Sequence, residues 1–496
     1  MDVMVVVGYL LFIIYTVALC YVTFFCLMQL HLLFKYLQIK KVSNLDLENG
    51  NRKIEFPMVT IQLPVFNEKY VAARLIDNIM QLQYPKEKLE IQILDDSTDE
   101  TRAIVEKKVL DYKNQGFLIS SYHRENRSGF KAGALKEGMK WVTGEFIAIF
   151  DADFLPEFDF LAKTMPSFDD PEIGVVQTRW EHMNQKDSLL TEMQAFQLNV
   201  HFTVEQQGRY NAGYLLQFNG TAGVWRKKCI EDSGGWEADT LTEDLDLSYR
   251  AQLKGWKIRY MEEVTSPAEL PGDINSLKSQ QFRWMKGGAE TARKMIPRVW
   301  GSNINIAQKI QATVHLLSSS IFLFVFILGI FSFPLLFFLN PLGIPTGNFT
   351  IFFISLLAII IVYFVANVQV AWPKENKLKL TLKFIVLFPI FLALSMGLAF
   401  HNSFAVLQGF IGKKSSFIRT PKYGNQQNKN VISKTSYFSK KMDWISIGEG
   451  LLSLYFFFAV YYGWNHDMKE FILFHILLAF GYLTLFLYAI RSKTTG

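Results

Sequence analysis

The sequence predicts an α/β domain, built on a mostly parallel sheet and inserted between transmembrane α-helices. Three observations predict it. Of 496 residues, half are apolar and 15% aromatic, but only 19% are charged, against about a quarter in soluble domains. Long apolar runs crowd both ends of the chain and are missing from about Asn51 to Pro297. Within that central stretch, short strand-like runs alternate with helical patterns, which implies βαβ units with right-handed crossovers. The composition excludes a disordered chain, a secreted disulfide scaffold and a collagen-like repeat. The three cysteines, Cys20, Cys26 and Cys229, have no spacing that suits a zinc site or a disulfide framework. Any metal therefore falls to carboxylates.

Val3 to Leu30 is nearly unbroken apolar sequence, longer than the ~20 residues that span a bilayer. Asp2 precedes it and lysines follow it, which reads as a retained anchor with its N-terminus outside rather than a signal peptide. Further runs cover about Thr313–Leu339, Thr350–Ala371, Phe384–Phe410, Trp444–Gly463 and Phe471–Ile490. Basic clusters flank them: Lys35, Lys40 and Lys41, then Lys374, Lys377, Lys379 and Lys383, then eight Lys or Arg between Lys413 and Lys441. Beside a net charge of only +6, these clusters fit the positive-inside rule better than nucleic-acid binding. A full crossing at 384–410 puts the last cluster outside, against that rule. The same stretch contains Pro389, Ser395, His401, Asn402, Ser403 and Gln408. The expectation is five spans, with 384–410 an interfacial or broken re-entrant helix; six spans is the alternative. The chain then divides into an N-terminal transmembrane helix (1–34), a cytoplasmic α/β domain (35–300), transmembrane helices 2 and 3 plus the interfacial helix (301–410), a cytoplasmic segment (411–443), and a transmembrane pair with the C-terminus (444–496).

In the central domain, strands are expected at Val59–Leu63, Glu90–Leu94, Phe117–Tyr122 and Glu145–Phe150, with helices near Tyr70–Leu82, Thr98–Tyr112 and Phe130–Trp141. Sheets of this kind bind ligands outside the carboxyl ends of their strands, and polar residues gather there. The first strand runs into Pro64-Val65-Phe66-Asn67-Glu68, the second into Asp95-Asp96 and the fourth into Asp151-Ala152-Asp153. A lone Asp-x-Asp carries little, and acids such as Asp99 can simply cap a helix; acid clusters at three strand ends carry more. Two carboxylates one residue apart can hold a hard divalent cation that bridges to a diphosphate. Arg124, Arg127 and Lys131 can add positive charge to the same phosphates. No Walker loop is present, so a P-loop nucleotidase is not supported. Thr242-Glu243-Asp244 precedes a helix near Leu245–Leu253, where an N-cap with first-turn acids is the simpler reading. Gln280 and Arg283 share a helical face beside Trp284, a group suited to a sugar ring, although Trp in a membrane protein is more often an interfacial anchor. Leu189, Met193, Phe196, Val200 and Val204 recur at helical spacing, which fits either an interfacial helix under the spans or an ordinary core helix.

Taken in order, Pro64–Glu68 (as PVFNE), Asp95-Asp96, Lys131-Ala132-Gly133, Asp151-Ala152-Asp153, Thr242-Glu243-Asp244 and Gln280-x-x-Arg283-Trp284 resemble the processive branch of glycosyltransferase family 2. That branch includes cellulose, mannan, hyaluronan and chitin synthases. Phe417-Ile418-Arg419-Thr420-Pro421-Lys422 looks like the gating loop of cellulose synthases. Gln177–Trp180, Phe218–Arg226 and Glu269–Pro271 are similar to stretches of plant cellulose-synthase-like A and C proteins, the glucomannan 4-β-mannosyltransferases and their β-glucan relatives. The chain departs from bacterial cellulose synthase in its single N-terminal span, and in lacking a C-terminal cyclic-di-GMP-binding barrel and an Arg-x-x-x-Arg motif. Activation by that nucleotide is not expected.

The resemblance implies a cytoplasmic GT-A domain, Rossmann-like, in an integral membrane protein of the plasma or inner membrane in a bacterium, or of the Golgi in a eukaryote. It implies polymerisation of a β-1,4-linked mannan, glucomannan or glucan from GDP-mannose or UDP-glucose, with inversion at the anomeric carbon and export of the product. Glu68 and either Asp95 or Asp96 would hold the nucleoside end of the donor, and Lys131 the diphosphate. Asp151 and Asp153 would hold Mg²⁺ or Mn²⁺ and the diphosphate. Asp244 would be the general base, its pKa raised by burial and by Glu243. Gln280, Arg283 and Trp284 would position the acceptor terminus and the leaving diphosphate, and Phe417, Thr420 and Lys422 would belong to the gating loop within 411–443. The implied partners are the nucleotide sugar, the growing glycan and the lipid bilayer. Two alternatives stay open: a non-processive transferase making a glycolipid or lipid-linked sugar, and a sugar-binding transporter or scaffold with an inactive transferase domain.

Overall fold

The computed structural model describes residues 3–38, 56–339, 341–344, 351–370, 376–415, 422 and 444–494. A long apolar helix, α1 (Val3–Leu37), leads into the α/β domain. There β1 (Val59–Val65), β2 (Leu89–Asp95), β3 (Leu118–His123) and β4 (Phe146–Ile149) run parallel. The crossovers are α2 (Ala72–Ile79), α3 (Thr101–Asn114) and α4 (Phe130–Gly138). Alternating side chains divide the core between the two sheet faces: Val59, Ile61, Leu63 and Val65 pack on one side with Phe146 and Ala148, whereas Ile147 and Ile149 pack on the other. Polar partners pin the register of β1 on β2. Thr60 faces Glu90 and Gln62 faces Gln92, and Gln62 Nε2 donates to Gln92 Oε1 across 3.1 Å with both side chains fully buried. A slip of register would leave these groups without partners.

The chain continues through α5 (Phe160–Thr164), β5 (Ile173–His182), α6 (Leu189–Val200), α7 (Gln206–Asn211), β6 (Gly223–Arg226), α8 (Lys227–Asp232), α9 (Glu243–Leu253) and β7 (Lys257–Ala268). The seven strands are ordered β3-β2-β1-β4-β6-β5-β7. β6 is antiparallel to both its neighbours, while β5 and β7 pair in parallel. The chain steps to opposite sides of β1 to form β2 and β4, so a crevice opens at the carboxyl ends of β1 and β4.

After the sheet come α10 (Ile274–Trp300), α11 (Ile306–Leu316), α12 (Ile321–Leu339), α13 (Ile351–Phe364), α14 (Lys377–Gly397) and α15 (Ala399–Ile411). Asp273 caps α10, accepting from the backbone N–H of Asn275 and Ser276 at 3.0 and 2.9 Å. Among the described residues, five helices are long and apolar enough to cross a bilayer: Val3–Leu37, Ser318–Leu339, Lys377–Gly397, Trp444–Asn465 and Lys469–Arg491. The chain is a membrane protein. Phe353–Gln369 is a shorter apolar helix.

The stretch 384–410, expected to lie along the interface or re-enter, is divided between two helices that meet at Leu398. Its first part belongs to α14, which has the length and hydropathy of a span and packs on the C-terminal helix through small residues. A Cβ on Gly397 would fall 2.6 Å from the carbonyl carbon of Gly481, and one on Gly481 would fall 2.1 Å from Ala393 O. Close backbone approach of this kind is how small residues pack apolar helices together. The polar second part is α15, which buries His401, Asn402 and Ser403. Ser403 Oγ donates to Phe322 O at 3.0 Å, and the His401 ring meets Phe282 of α10 edge-on at 6.0 Å. Of the apolar series on α6 and the turn after it, Met193, Phe196, Val200 and Val204 are buried and Leu189 is 45% exposed. The Phe196 ring lies 5.5, 5.7 and 5.3 Å from Tyr363, Phe384 and Phe391, so α6 packs beneath α13 and α14.

Replacing Gly481 by Val should cost about 1–3 kcal/mol through overpacking, seen as a lower melting temperature in detergent. An unchanged melting temperature would contradict the Gly397–Gly481 contact.

Candidate active site

Nearly every strand delivers residues to one cavity at the carboxyl edge of the sheet. β1 supplies Pro64, Val65, Phe66 and Glu68, β2 supplies Asp96, and β4 supplies Asp151, Ala152, Asp153 and Phe154. Trp180 and His182 come from β5, and Ala268, Glu269 and Leu270 from the end of β7. β6 runs the other way, so the residues before it, Asn219 and Gly220, reach this edge. Helices close the remaining sides with Arg127 and Lys131 before and on α4, Thr242, Glu243 and Asp244 at the start of α9, and Gln280, Arg283 and Trp284 on α10. Lys422 also lines the cavity.

Charge balance organises its centre. Lys131 Nζ sits 2.5 Å from Asp151 Oδ1 and donates to Gly220 O at 2.8 Å. Burial pulls the Lys131 pKa down, but Asp151, Glu243 and Asp244 outweigh it, and the net shift is upward. Burial raises the Glu243 carboxyl above its ordinary value against the pull of Lys131. Burial and then the Glu243 charge push Asp244 up to about 7. Burial lowers Arg283 to about 10, opposed by Asp151 and Glu243. Asp153 pairs with Lys422, and the Glu269 N–H donates to its Oδ2 at 3.3 Å. His182 is pulled down to about 3 by burial and by Arg179, so it meets a ligand as a neutral imidazole. Its Nε2 and the Trp180 indole nitrogen are buried with no hydrogen-bond partner among the described residues.

Glycine conformation makes room for Asp244. Gly220 has φ +79°, and a Cβ there would lie 3.0 Å from Asp244 Oδ2. Gly133 is equally constrained, since its Cβ would fall 2.0 Å from Ser128 O. On the cavity wall the Arg127 guanidinium stacks on Phe66 at 3.4 Å from the ring centroid, a cation–π pair.

Asp95 is not among the cavity's lining residues: it accepts from the Ser97 N–H at 2.9 Å and faces His123 Nδ1 at 3.2 Å. Asp96 lines the wall but is gripped by Arg124 through Nε at 2.7 Å and Nη2 at 2.5 Å. Arg124 itself is not among the residues that line the cavity. Thr242 gives α9 no side-chain cap, and the first-turn position of Glu243 and Asp244 is what turns them to the cavity. Phe417 and Thr420 of the expected gating loop lie outside the described residues. Asn219, Gly220, Trp180, His182 and Glu269 have no role in the sequence reading; the stretches Gln177–Trp180, Phe218–Arg226 and Glu269–Pro271 carry four of them by resemblance, and nothing in the sequence points to His182.

Residues 57–287 match the model of the family described as "Glycosyltransferase like family 2". The chain is 32% identical to "Probable glucomannan 4-beta-mannosyltransferase 3" of Oryza sativa subsp. japonica over 442 residues, 87% of this chain and 78% of that protein. It belongs to glycosyltransferase family 2. Within the family it is also 42% identical to "Glucomannan 4-beta-mannosyltransferase 9" of Arabidopsis thaliana over 284 residues, 56% of this chain. There the chain spans about half of the relative's length, 52%. A mannosyltransferase from Pyrobaculum calidifontis, solved in complex with GDP-Man and Mn²⁺, superimposes with a TM-score of 0.54 at 17% identity, covering 82% of this chain and 100% of that one. At that identity the likeness is one of fold, and the shared fold is GT-A.

Removing Arg124 while leaving Asp96 buried should destabilise the domain by about 3–5 kcal/mol. Thermal unfolding of Arg124→Met in detergent tests this, and wild-type stability would contradict the pairing.

Proposed function

We propose that the chain is a membrane-embedded, processive, inverting hexosyltransferase. It polymerises a β-1,4-linked mannan, glucomannan or glucan from GDP-mannose or UDP-glucose and passes it across the membrane, with the α/β domain on the cytoplasmic side. The mannosyltransferase names of its relatives favour GDP-mannose. One observation carries the reading: Asp244, a half-buried carboxyl pushed up to about 7, shares a cavity with Lys131, Asp151, Gln280, Arg283 and Trp284. A carboxylate with a pKa near the working pH is suited to general-base catalysis.

In this reading Asp244 takes the proton from the acceptor hydroxyl. The freed oxygen attacks the anomeric carbon from the face opposite the nucleotide, and the bond to the nucleoside diphosphate breaks. Direct displacement turns an α-linked donor into a β-linkage. Lys131 and Arg283 stabilise the charge on the leaving diphosphate, and Glu243 keeps the base poised by opposing its ionisation. Trp284 stacks on the acceptor sugar while Gln280 orients it, and Glu68, Asp96 and the Arg127–Phe66 pair hold the nucleoside end. The neutral nitrogens of Trp180 and His182 suit sugar hydroxyls better than phosphate.

Asp151 and Asp153 offer hard oxygen donors on the wall of the same cavity, with Asp151 36% exposed, a donor set that fits Mg²⁺ or Mn²⁺. Such an ion supplies charge neutralisation on the departing diphosphate. A second acid cluster, Glu237, Asp239 and Asp246, brings carboxylate oxygens within 4.8 Å of one another. There the Lys294 ammonium lies 2.6, 2.8 and 2.9 Å from the three carboxylates at once, whereas Asp151 and Asp153 each meet a different lysine, Lys131 and Lys422.

Membranes carrying the protein should incorporate label from one of the two donors when given Mg²⁺ or Mn²⁺, and Asp244→Asn should abolish incorporation. Incorporation by the variant at the wild-type rate would sink the reading. The base must be ionised to act, so activity is lost as pH falls: kcat/KM should be level above about 7 and drop about tenfold per pH unit below it. A flat profile from pH 5.5 to 8 would contradict Asp244 as the base.

A further inference from the structure

The residues that face the cavity from α10 are Gln280, Arg283 and Trp284, and the same helical stripe continues at Gly287, Glu290, Thr291 and Lys294, spaced by three and four residues. This second half meets the turn that carries Asp244. A Cβ on Gly287 would lie 2.6 Å from Thr242 Cγ2 and 3.0 Å from the Leu241 carbonyl carbon, so the bare glycine lets the turn rest against the helix. Glu290 accepts from the Leu241 N–H at 2.9 Å. The hydroxyls of Thr291 and Thr242 hydrogen-bond at 2.9 Å. Lys294 reaches Glu237 and Asp239 ahead of the turn and Asp246 beyond it. Asp246 and Thr291 are completely buried, and Arg250 Nη2 holds the other Asp246 oxygen at 2.8 Å.

We propose that Gly287, Glu290, Thr291 and Lys294 form a clamp that fixes where Asp244 stands relative to Gln280, Arg283 and Trp284. They are positioning residues: Asp244 acts on the acceptor, and the clamp acts through Asp244. Carrying the acceptor residues and the clamp on one continuous helix makes their separation a property of helix geometry rather than of loop conformation. Lys294 also supplies the positive charge that lets three carboxylates crowd beside the turn. This inference rests on Asp244 being the general base.

The test uses the full chain in membranes, with labelled donor, and compares Thr291→Val, Thr291→Ser, Gly287→Ala, Asp244→Asn and the exposed-site control Arg298→Ala. Displacement of a catalytic group by about 1 Å costs about 10²-fold in rate, which is the loss expected in kcat for Gly287→Ala. Thr291→Val keeps the shape and loses one hydroxyl, so kcat should fall about tenfold, while the donor KM stays within about twofold because donor contacts are untouched. Thr291→Ser, which retains the hydroxyl, should recover wild-type kcat, and Arg298→Ala should match wild type. Thr291→Val keeps the test alive should Gly287→Ala fail to fold. Wild-type kcat in Thr291→Val alongside an inactive Asp244→Asn would overturn the clamp and leave the proposed function standing. So would a Thr291→Ser variant as slow as Thr291→Val. An active Asp244→Asn would overturn both.

Discussion

The structure depends on holding acids together that repel one another. Asp151, Glu243 and Asp244 come from two different elements to one half-buried place, and Lys131 is the cation at their centre, 2.5 Å from Asp151 and raised in pKa by all three. With Arg283 nearby, the charges are nearly balanced yet not fully neutralised, which leaves Asp244 with a pKa of about 7. A carboxylate left wholly in water would be too weak a base, and one paired outright with a cation weaker still. The fold therefore serves an electrostatic purpose, bringing acids near a lysine that compensates them while pairing with Asp151 and not with Asp244.

The topology that achieves this was legible in the sequence for the first four strands. Short apolar runs ended in acids, and a parallel sheet puts all such ends on one edge. The four-residue β6 was not legible, because a strand that short has no periodicity of its own, and its reversed direction is what brings Asn219 and Gly220 to the edge. The choice between Asp95 and Asp96 was likewise hidden. Neighbouring residues at a strand end point to opposite sides, and the sequence does not say which side is open. Arg124 looked like a phosphate ligand, but its binding of Asp96 depends on the register of β3 against β2, a tertiary fact. At 384–410, Pro389 and the polar second half signalled a broken helix, and the stretch is divided at Leu398. The Gly397–Gly481 approach joins residues far apart in sequence and gives no local signal.

The catalytic domain and the apolar helices are coupled through α10. Its Lys278 forms a buried ion pair with Glu449 of the Trp444–Asn465 helix, at 2.7 Å to each carboxylate oxygen, and α15 lies against it through Phe282 and His401. A buried pair is costly to break from one side, so α10 is held to the membrane-facing helices at its start and to the Asp244 turn further along. The helix that bears Gln280, Arg283 and Trp284 thus ties the cavity and the Asp244 turn to the apolar helices.

The stereochemistry and size of the product test this account most directly. Labelled donor of α configuration should give ethanol-insoluble polymer with β-1,4 linkages, digested by β-mannanase or β-1,4-glucanase according to the donor that was used. Label confined to a short, organic-extractable product, or an α-linked product, would contradict a processive inverting transferase.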